Sequence, residues 1–93
     1  MSEYIEIETE LDDDGETISF QTNLSLASGT GHERYESHHA LAEGSPVAQV
    51  LAGIEGIDSA EIRDRMLMVT CTPGTDRYAV AADVNAALKD FFL

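Results

Sequence analysis

The sequence predicts a two-layer α+β domain in which an antiparallel four-stranded sheet carries two helices on one face, in the order ββαββα. Two observations lead to this fold class. Short stretches alternate apolar and polar residues, as half-buried strands do, and two others repeat apolar residues every three or four positions, as amphipathic helices do. A chain of 93 residues suits a single domain. Two hairpins that are each followed by a helix can build two packed layers.

The first hairpin is predicted from residues 4–9 and 16–23. In the first strand two isoleucines alternate with glutamates and should face the core. In the second strand Ile18 and Phe20 should do the same. Residues 12–15 read Asp-Asp-Asp-Gly, and an Asp-Gly pair supplies the backbone conformation of a hairpin turn. The two strands should therefore pair antiparallel.

Residues 24–44 are predicted as a long loop that ends in a short turn, residues 40–42, packed on the core. A connection of this length is unusual in a small domain. It contains three histidines together with Glu33 and Glu36, and imidazole and carboxylate groups are zinc ligands. One alternative is therefore a small metal-binding or ligand-sensing module, and the other is that these side chains are simply solvated. The candidate metal ligands are His32, His38 and His39.

The most informative stretch begins at Ser45. Its hydroxyl can cap a helix by accepting from an amide of the first turn, and Pro46 suits the first helical position because no N–H is needed there. Gly53 or Gly56 should end this helix in a left-handed conformation. The apolar stripe of the helix comprises Val47, Val50, Leu51 and Ile54.

Two strands and a final helix should complete the fold. The strands are predicted at residues 57–63 and 66–72, joined by a two-residue turn. Thr75 or Asp76 should cap the helix, which should run to about residue 92. Its core-facing stripe is predicted to consist of Tyr78, Ala81, Val84, Leu88 and Phe91.

The face of the sheet turned away from the helices should be open to water. Alternation places two methionines on that face, and exposed methionine side chains adapt to varied partner surfaces. Either residues 24–44 fold over these methionines, or the methionines and the acids around them form a protein-docking patch. The predicted partner-binding residues are Met66, Met68, Tyr4, Glu6, Glu8 and Glu61.

The charge is strongly acidic, with 18 acidic and 5 basic residues and a net charge of −13. Such a surface repels nucleic acid and anionic membranes, because binding to phosphates requires Lys and Arg. It suits either solubility at high salt or an acidic docking face for a basic partner. No apolar run reaches the roughly 20 residues of a membrane helix, and the N-terminus lacks a signal-peptide core. We therefore expect a soluble, cytoplasmic protein.

No residue pattern typical of catalysis occurs in the sequence. There is no Gly-x-Ser-x-Gly elbow and no Gly-rich phosphate loop. The one cysteine, Cys71, can form neither an internal disulfide nor a thiolate cluster within one chain. We expect no catalytic residues, no bound cofactor and a role other than that of an enzyme.

The run S-P-V-A-Q-V-L-A-G-I-E-G-I-D-S-A-E-I, which starts at Ser45, resembles the N-terminal domain of the Nfu/NifU-type iron–sulfur scaffold proteins. The closing A-A-L-K-D-F-F also resembles the last helix of that family. The resemblance implies one Nfu N-terminal-like domain over residues 1–93, with any role in cluster assembly coming through a partner protein. The matching residues are Ser45, Pro46, Ala48, Leu51, Ile54, Gly56, Ile57, Val69 and Thr70.

Several positions depart from the pattern of that family. Ala52 stands where the family usually has Phe, and Tyr78 lies near a usual Trp. The family's Cys-x-x-Cys domain, which holds the cluster, does not follow Leu93. The resemblance thus implies a free-standing accessory domain, and the predicted function is protein interaction with an iron–sulfur scaffold or a cluster-receiving protein.

We expect the fold to be more stable in molar KCl than in dilute buffer. Salt shortens the Debye length to about 3 Å at 1 M and so screens the mutual repulsion of the 18 acidic side chains. The melting temperature, followed by circular dichroism across a KCl series, should therefore rise. A melting temperature that stays flat or falls with added KCl would contradict this expectation.

Overall fold

One antiparallel sheet of five strands forms the first layer of the protein, and three helices form the second. The computed structural model describes residues 6–23, residue 26 and residues 32–92. The elements are β1 (Ile7–Leu11), β2 (Thr17–Thr22), β3 (His32–Tyr35), α1 (His38–Ala42), α2 (Pro46–Ala52), β4 (Ile57–Arg63), β5 (Met66–Cys71) and α3 (Arg77–Phe92).

The strands lie in the order β1-β2-β5-β4-β3, and all neighbours are antiparallel. The α+β class and the two hairpins are confirmed, but the prediction of four strands in the order ββαββα is wrong. Residues 24–44 contain β3 and α1 instead of a plain loop. The sequence does not predict β3, because Tyr35 is its single apolar side chain. The other residues of this edge strand are polar or charged, so they show no apolar alternation.

The first hairpin forms as predicted, with shifted bounds. The predicted strand over residues 4–9 corresponds to β1, and the prediction that residue 5 faces the core concerns a residue outside the described ones. Asp14 closes the turn: its carboxylate accepts from the amides of Glu16 and Thr17 and from the Thr17 hydroxyl. These hydrogen bonds lower the pKa of Asp14 to about 2, because they favour its charged form.

The helix at Ser45 also forms as predicted. The Ser45 hydroxyl accepts from the Ala48 amide at 3.4 Å, and Pro46 occupies the first turn of α2. Gly53 caps the helix in a right-handed conformation, and the left-handed residue is Gly56, with φ at +93°. The chain can therefore turn sharply into β4 while Ile57 stays buried.

The core lies between the sheet and the helices. Ile18, Phe20, Leu67 and Val69 point from the central strands toward the helical layer and have no solvent exposure. Side chains of all three helices complete the cluster. The fully buried helical residues are Leu41, Ala48, Leu51, Val84 and Leu88. In the described part of the chain, no helix combines the length and apolar character needed to cross a bilayer.

The predicted stripe of α3 is partly wrong. Ala81, Val84 and Leu88 are buried, but the exposed fractions of Tyr78 and Phe91 are 75% and 42%. The predicted stripe advances by three residues from Tyr78 to Ala81 and by three more to Val84. In a helix of 3.6 residues per turn, each three-residue step is roughly 60° short of a full turn, so these side chains do not lie directly above one another. Tyr78 is therefore carried off the buried face, and Val80 takes its place there.

Two side chains fix α3 to the first hairpin. Arg77 donates through Nη1 to the carbonyl oxygens of Asp12 at 2.7 Å and Thr17 at 3.2 Å. Asn85 donates to the Thr9 hydroxyl at 3.1 Å. Thr9 is opposite Phe20 in the β1–β2 register. α3 therefore lies on the same face of the sheet as the core.

Tyr35 fixes the edge strand to the junction between α1 and α2. Its hydroxyl accepts from the Ser45 amide at 3.1 Å and donates to the Glu33 carboxylate at 2.5 Å. The ring lies directly over Gly44, where an added Cβ would clash with Cε1 of Tyr35. This contact leaves no room for a side chain at residue 44.

Gly44→Ala should destabilise the fold by about 1–3 kcal/mol, because overpacking forces the Tyr35 ring and its two hydrogen bonds to move. Gly53→Ala is the matched control, since its Cβ would lie 3.5 Å from the nearest atom. Urea denaturation of both variants measures the difference. Equal stabilities for the two variants would show that the Tyr35 contact is unimportant.

Candidate protein-docking face

The face of the sheet away from the helices is uncovered in the described part of the chain. We call it the open face. It is formed by the outward side chains of β1, β2, β5, β4 and β3, which alternate with the core residues along each strand. β3 extends the sheet beside β4 and does not cover the methionines. The outward residues are Glu8, Glu10, Thr17, Ser19, Gln21, Met66, Met68, Thr70, Ser59, Glu61, Arg63, His32 and Arg34.

The strand registers place five of these side chains in one row across the whole sheet. The row is Glu10, Ser19, Met68, Glu61 and Arg34, in the spatial order of the strands. Met68 is therefore at its centre, on the middle strand. An acidic side chain occupies one end of the row and a guanidinium group the other.

Met66 and Met68 form the apolar centre of the open face. Both are half-buried, and both lie on β5 next to polar residues of β2: Gln21 is opposite Met66, and Ser19 is opposite Met68. A methionine pair held between polar neighbours keeps flexible, polarizable side chains accessible to a partner. The predicted placement of these two residues on the sheet face away from the core is confirmed.

Glu61 contacts two basic side chains of the open face. Its carboxylate oxygen Oε2 lies 2.6 Å from Nε2 of His32 and 3.4 Å from Nη2 of Arg63. The hydrogen bond from His32 and the neighbouring Arg63 hold the pKa of Glu61 below its ordinary value of 4.5. Glu61 therefore stays charged while serving as a fixed anchor between β4 and β3.

A shallow depression of about 340 Å³ lies at one end of the open face. Hydroxyl groups from three adjacent strands line it, because Thr17, Thr70 and Ser59 are opposite one another in the register. Met68 and Arg34 border the depression on the side of the central row. Polar groups next to a half-buried methionine can satisfy the backbone or side chains of a docked segment.

The predicted partner-binding residues do not all lie on this face within the described structure. Glu8, Glu61, Met66 and Met68 do. Glu6 is exposed just before β1, and its amide donates to the Asn23 side chain. The prediction for residue 4 concerns a residue outside the described ones.

Arg34 is a candidate that sequence reasoning missed. The sequence pattern places Arg34 in the long loop, and only the pairing of β3 with β4 puts it on the open face beside Glu61. An alternation of His-Glu-Arg-Tyr ahead of a capped helix was the one available signal for this strand.

The three candidate metal ligands have different partners. His32 contacts Glu61, His38 lies 3.1 Å from the Ile57 carbonyl oxygen, and His39 pairs with Glu43 one helical turn later. Among residues 6–23, 26 and 32–92, no three His, Cys, Asp or Glu side chains are grouped as a metal site would require. The histidines therefore act in this structure as individual hydrogen-bonding groups.

Cys71 lies on the core side of β5. It is 2% exposed, and burial raises the pKa of its thiol, because the thiolate would lose its hydration. The buried thiol is not directed to the open face and contributes nothing to its chemistry.

Comparison with known proteins identifies the fold. The chain matches no protein-family profile and no curated protein sequence. It is similar in structure to a NifU-like protein from Saccharomyces cerevisiae solved by NMR, with a TM-score of 0.74 and 16% identity over 92% of this chain and 76% of that one. It is also similar to protein SAV1430 from Staphylococcus aureus, solved by crystallography, with a TM-score of 0.68 and 15% identity over 88% of this chain and 96% of that one. The chain therefore has the fold of these two proteins.

Glu61→Gln should lower stability at neutral pH by about 0.5–1 kcal/mol, as expected for a partly exposed ion pair. Because the folded pKa of Glu61 lies below 4.5, its contribution is present above that pH and is lost as the pH falls through the folded value. The difference from wild type should therefore be constant above that pH and should shrink as the pH falls below it.

Urea denaturation above and below pH 4.5 measures the effect. Glu8→Gln is the control, since no ion pair to Glu8 occurs in the described part of the chain. A Glu61→Gln deficit that stays constant down to the acid limit would contradict the assignment of the ion pair to Glu61.

Proposed function

We propose that this protein is a non-catalytic accessory domain that docks onto a partner in iron–sulfur cluster assembly, either a cluster scaffold or a cluster-receiving protein. The observation that carries the proposal is the methionine pair at the centre of the open face, on a fold that is also found in a NifU-like protein. The resemblance of the Ser45 helix and its following turn to the Nfu N-terminal domain supports the same pathway.

The chemistry of the open face indicates what such a partner should present. Met66 and Met68 favour contact with an apolar or aromatic side chain, which can bury the flexible thioethers. Glu8 and Glu10 lie on the β1 side of the methionines, and no ion pair to either occurs in the described residues. Lys or Arg on the partner would complement these carboxylates and speed the encounter.

The hydroxyl row of Thr17, Thr70 and Ser59 gives the partner a second, polar contact. A typical interface has an apolar centre and a polar rim, and the open face repeats that arrangement with the methionines at the centre. Under this proposal the helices serve to hold the sheet rigid, while the uncovered side of the sheet makes the contact.

Capture from an extract of the cells that make this protein tests the proposal. The tagged wild-type chain should recover a cluster scaffold or a cluster-receiving protein, identified by mass spectrometry. The double variant Met66→Ser, Met68→Ser should weaken binding to that purified partner by about tenfold or more, equivalent to ~1.4 kcal/mol, because the apolar centre of the contact is lost.

Phe91→Ser is the matched control, since it removes an exposed apolar side chain from the helical layer. It should bind as wild type does. Recovery of no protein of cluster assembly would contradict the proposed pathway. Undiminished binding by a folded methionine double variant would contradict the proposed surface.

A further inference from the structure

The open face has opposite charge at its two edges. Glu8 and Glu10 lie on the edge strand β1, and Arg34 lies on the opposite edge strand β3. β5, with Met66 and Met68, is the middle strand of the five. The distance from β1 to β3 is four strand spacings, or roughly 19 Å at ~4.8 Å each. Each edge is thus about the same distance from the methionines.

The existing ion pairs leave these edge charges available. Glu61 is engaged by His32 and Arg63. Arg34 contacts Glu36 at 3.9 Å between two exposed side chains, a pair that contributes little in water. No ion pair to Glu10 occurs in the described part of the chain. A carboxylate at one edge and a guanidinium at the other can therefore take new partners.

We propose that the open face docks onto the open face of a second copy of this chain, with the two-fold axis running along β5. A two-fold rotation about that direction exchanges β1 with β3. Glu10 of each copy then faces Arg34 of the other, since both belong to the same row. Met66 and Met68 of the two copies pack against each other at the axis.

Charge selects this arrangement over the other aligned one. A two-fold axis perpendicular to the strands would bring β1 onto β1 and place carboxylates of the two copies together, which is repulsive. The axis along β5 forms the Glu10–Arg34 pair twice, as a two-fold interface requires. Two sheets that pack face to face in this way are about 10 Å apart, close enough for interdigitated methionines and for long charged side chains to meet.

The size of the open face indicates a weak dimer. Strands of six residues are ~20 Å long and the sheet is roughly 19 Å wide, so each copy presents on the order of 400 Å² of sheet. The total, about 800 Å², is below the area of most specific interfaces and suits a weak, transient dimer. The net charge of −13 per copy opposes association in dilute buffer, and salt relieves that long-range repulsion.

This inference concerns the free protein and does not rest on the proposed role in iron–sulfur assembly. A second copy would occupy the surface that a partner needs, so the dimer would be the resting form and the partner would replace one copy. The two ideas are separable, because self-association is measured with the purified chain alone.

Sedimentation velocity of the purified protein in ~0.5 M KCl, where the Debye length is about 4 Å, tests the proposal. The wild-type chain should form dimers as its concentration rises from about 10 μM to about 1 mM. Glu10→Arg and Arg34→Glu should each weaken dimerisation about tenfold or more, because each replaces two opposite-charge contacts with two like-charge contacts.

Restoration of charge pairing is the deciding result. The double variant Glu10→Arg, Arg34→Glu retains the net charge of wild type and should dimerise again. An equimolar mixture of the two single variants should also form a heterodimer, since every pair is then Arg opposite Glu. Asp90→Arg is the control for net charge. It changes the charge by the same amount as Glu10→Arg, but at an exposed position of α3, so it should not weaken the dimer.

A wild-type chain that stays monomeric up to about 1 mM would overturn the proposal. So would a double variant and a mixture that both remain monomeric, because the dimer would then use another surface. Circular dichroism of each variant confirms that the comparison is between folded proteins.

Discussion

The structure depends on covering one face of a small antiparallel sheet with helices. Ile18, Phe20, Leu67 and Val69 supply the sheet side of that contact and have no exposure to solvent. Full burial of one such side chain is worth about 1.5–3 kcal/mol, which is a large fraction of the net stability of a domain of this size. Because successive side chains of a strand point to opposite faces of the sheet, every second residue points away from this core. The open face is thus a direct consequence of the core, and its row of polar residues and methionines is set by strand register.

Polar residues outside the core fix the position of the helices relative to the sheet. Arg77 donates to two backbone carbonyls of the first hairpin, and Tyr35 connects the edge strand to the amide that begins α2. The chain has only five Lys and Arg residues. Arg77 is one of them, and its hydrogen bonds to backbone oxygens take the place of an ion pair with one of the many acidic residues. Its use there indicates that α3 is held by directional hydrogen bonds as well as by apolar contact.

Much of the fold follows from local patterns that a sequence displays directly. Ser45 and Pro46 mark the start of α2, and alternation in β2 and β5 assigns the core and the open face, including both methionines. β3 was hidden because an edge strand can be almost entirely charged, so its identity depends on pairing with β4 rather than on its own periodicity. The exposure of Tyr78 also depends on tertiary packing. The side of α3 that is buried is decided by the residues that contact the sheet, which the spacing of apolar residues alone does not fix. Arg34 could be placed on the candidate face only after β3 was known.

Cys71 gives the molecule an internal reporter. It is the one thiol in the chain, and it lies on the core side of β5, the middle strand of the sheet. A sealed thiol reacts with an alkylating reagent only in molecules whose layers have separated. The labelling rate of the native chain therefore measures how often the helical layer lifts from the sheet, and it does so without any engineered probe.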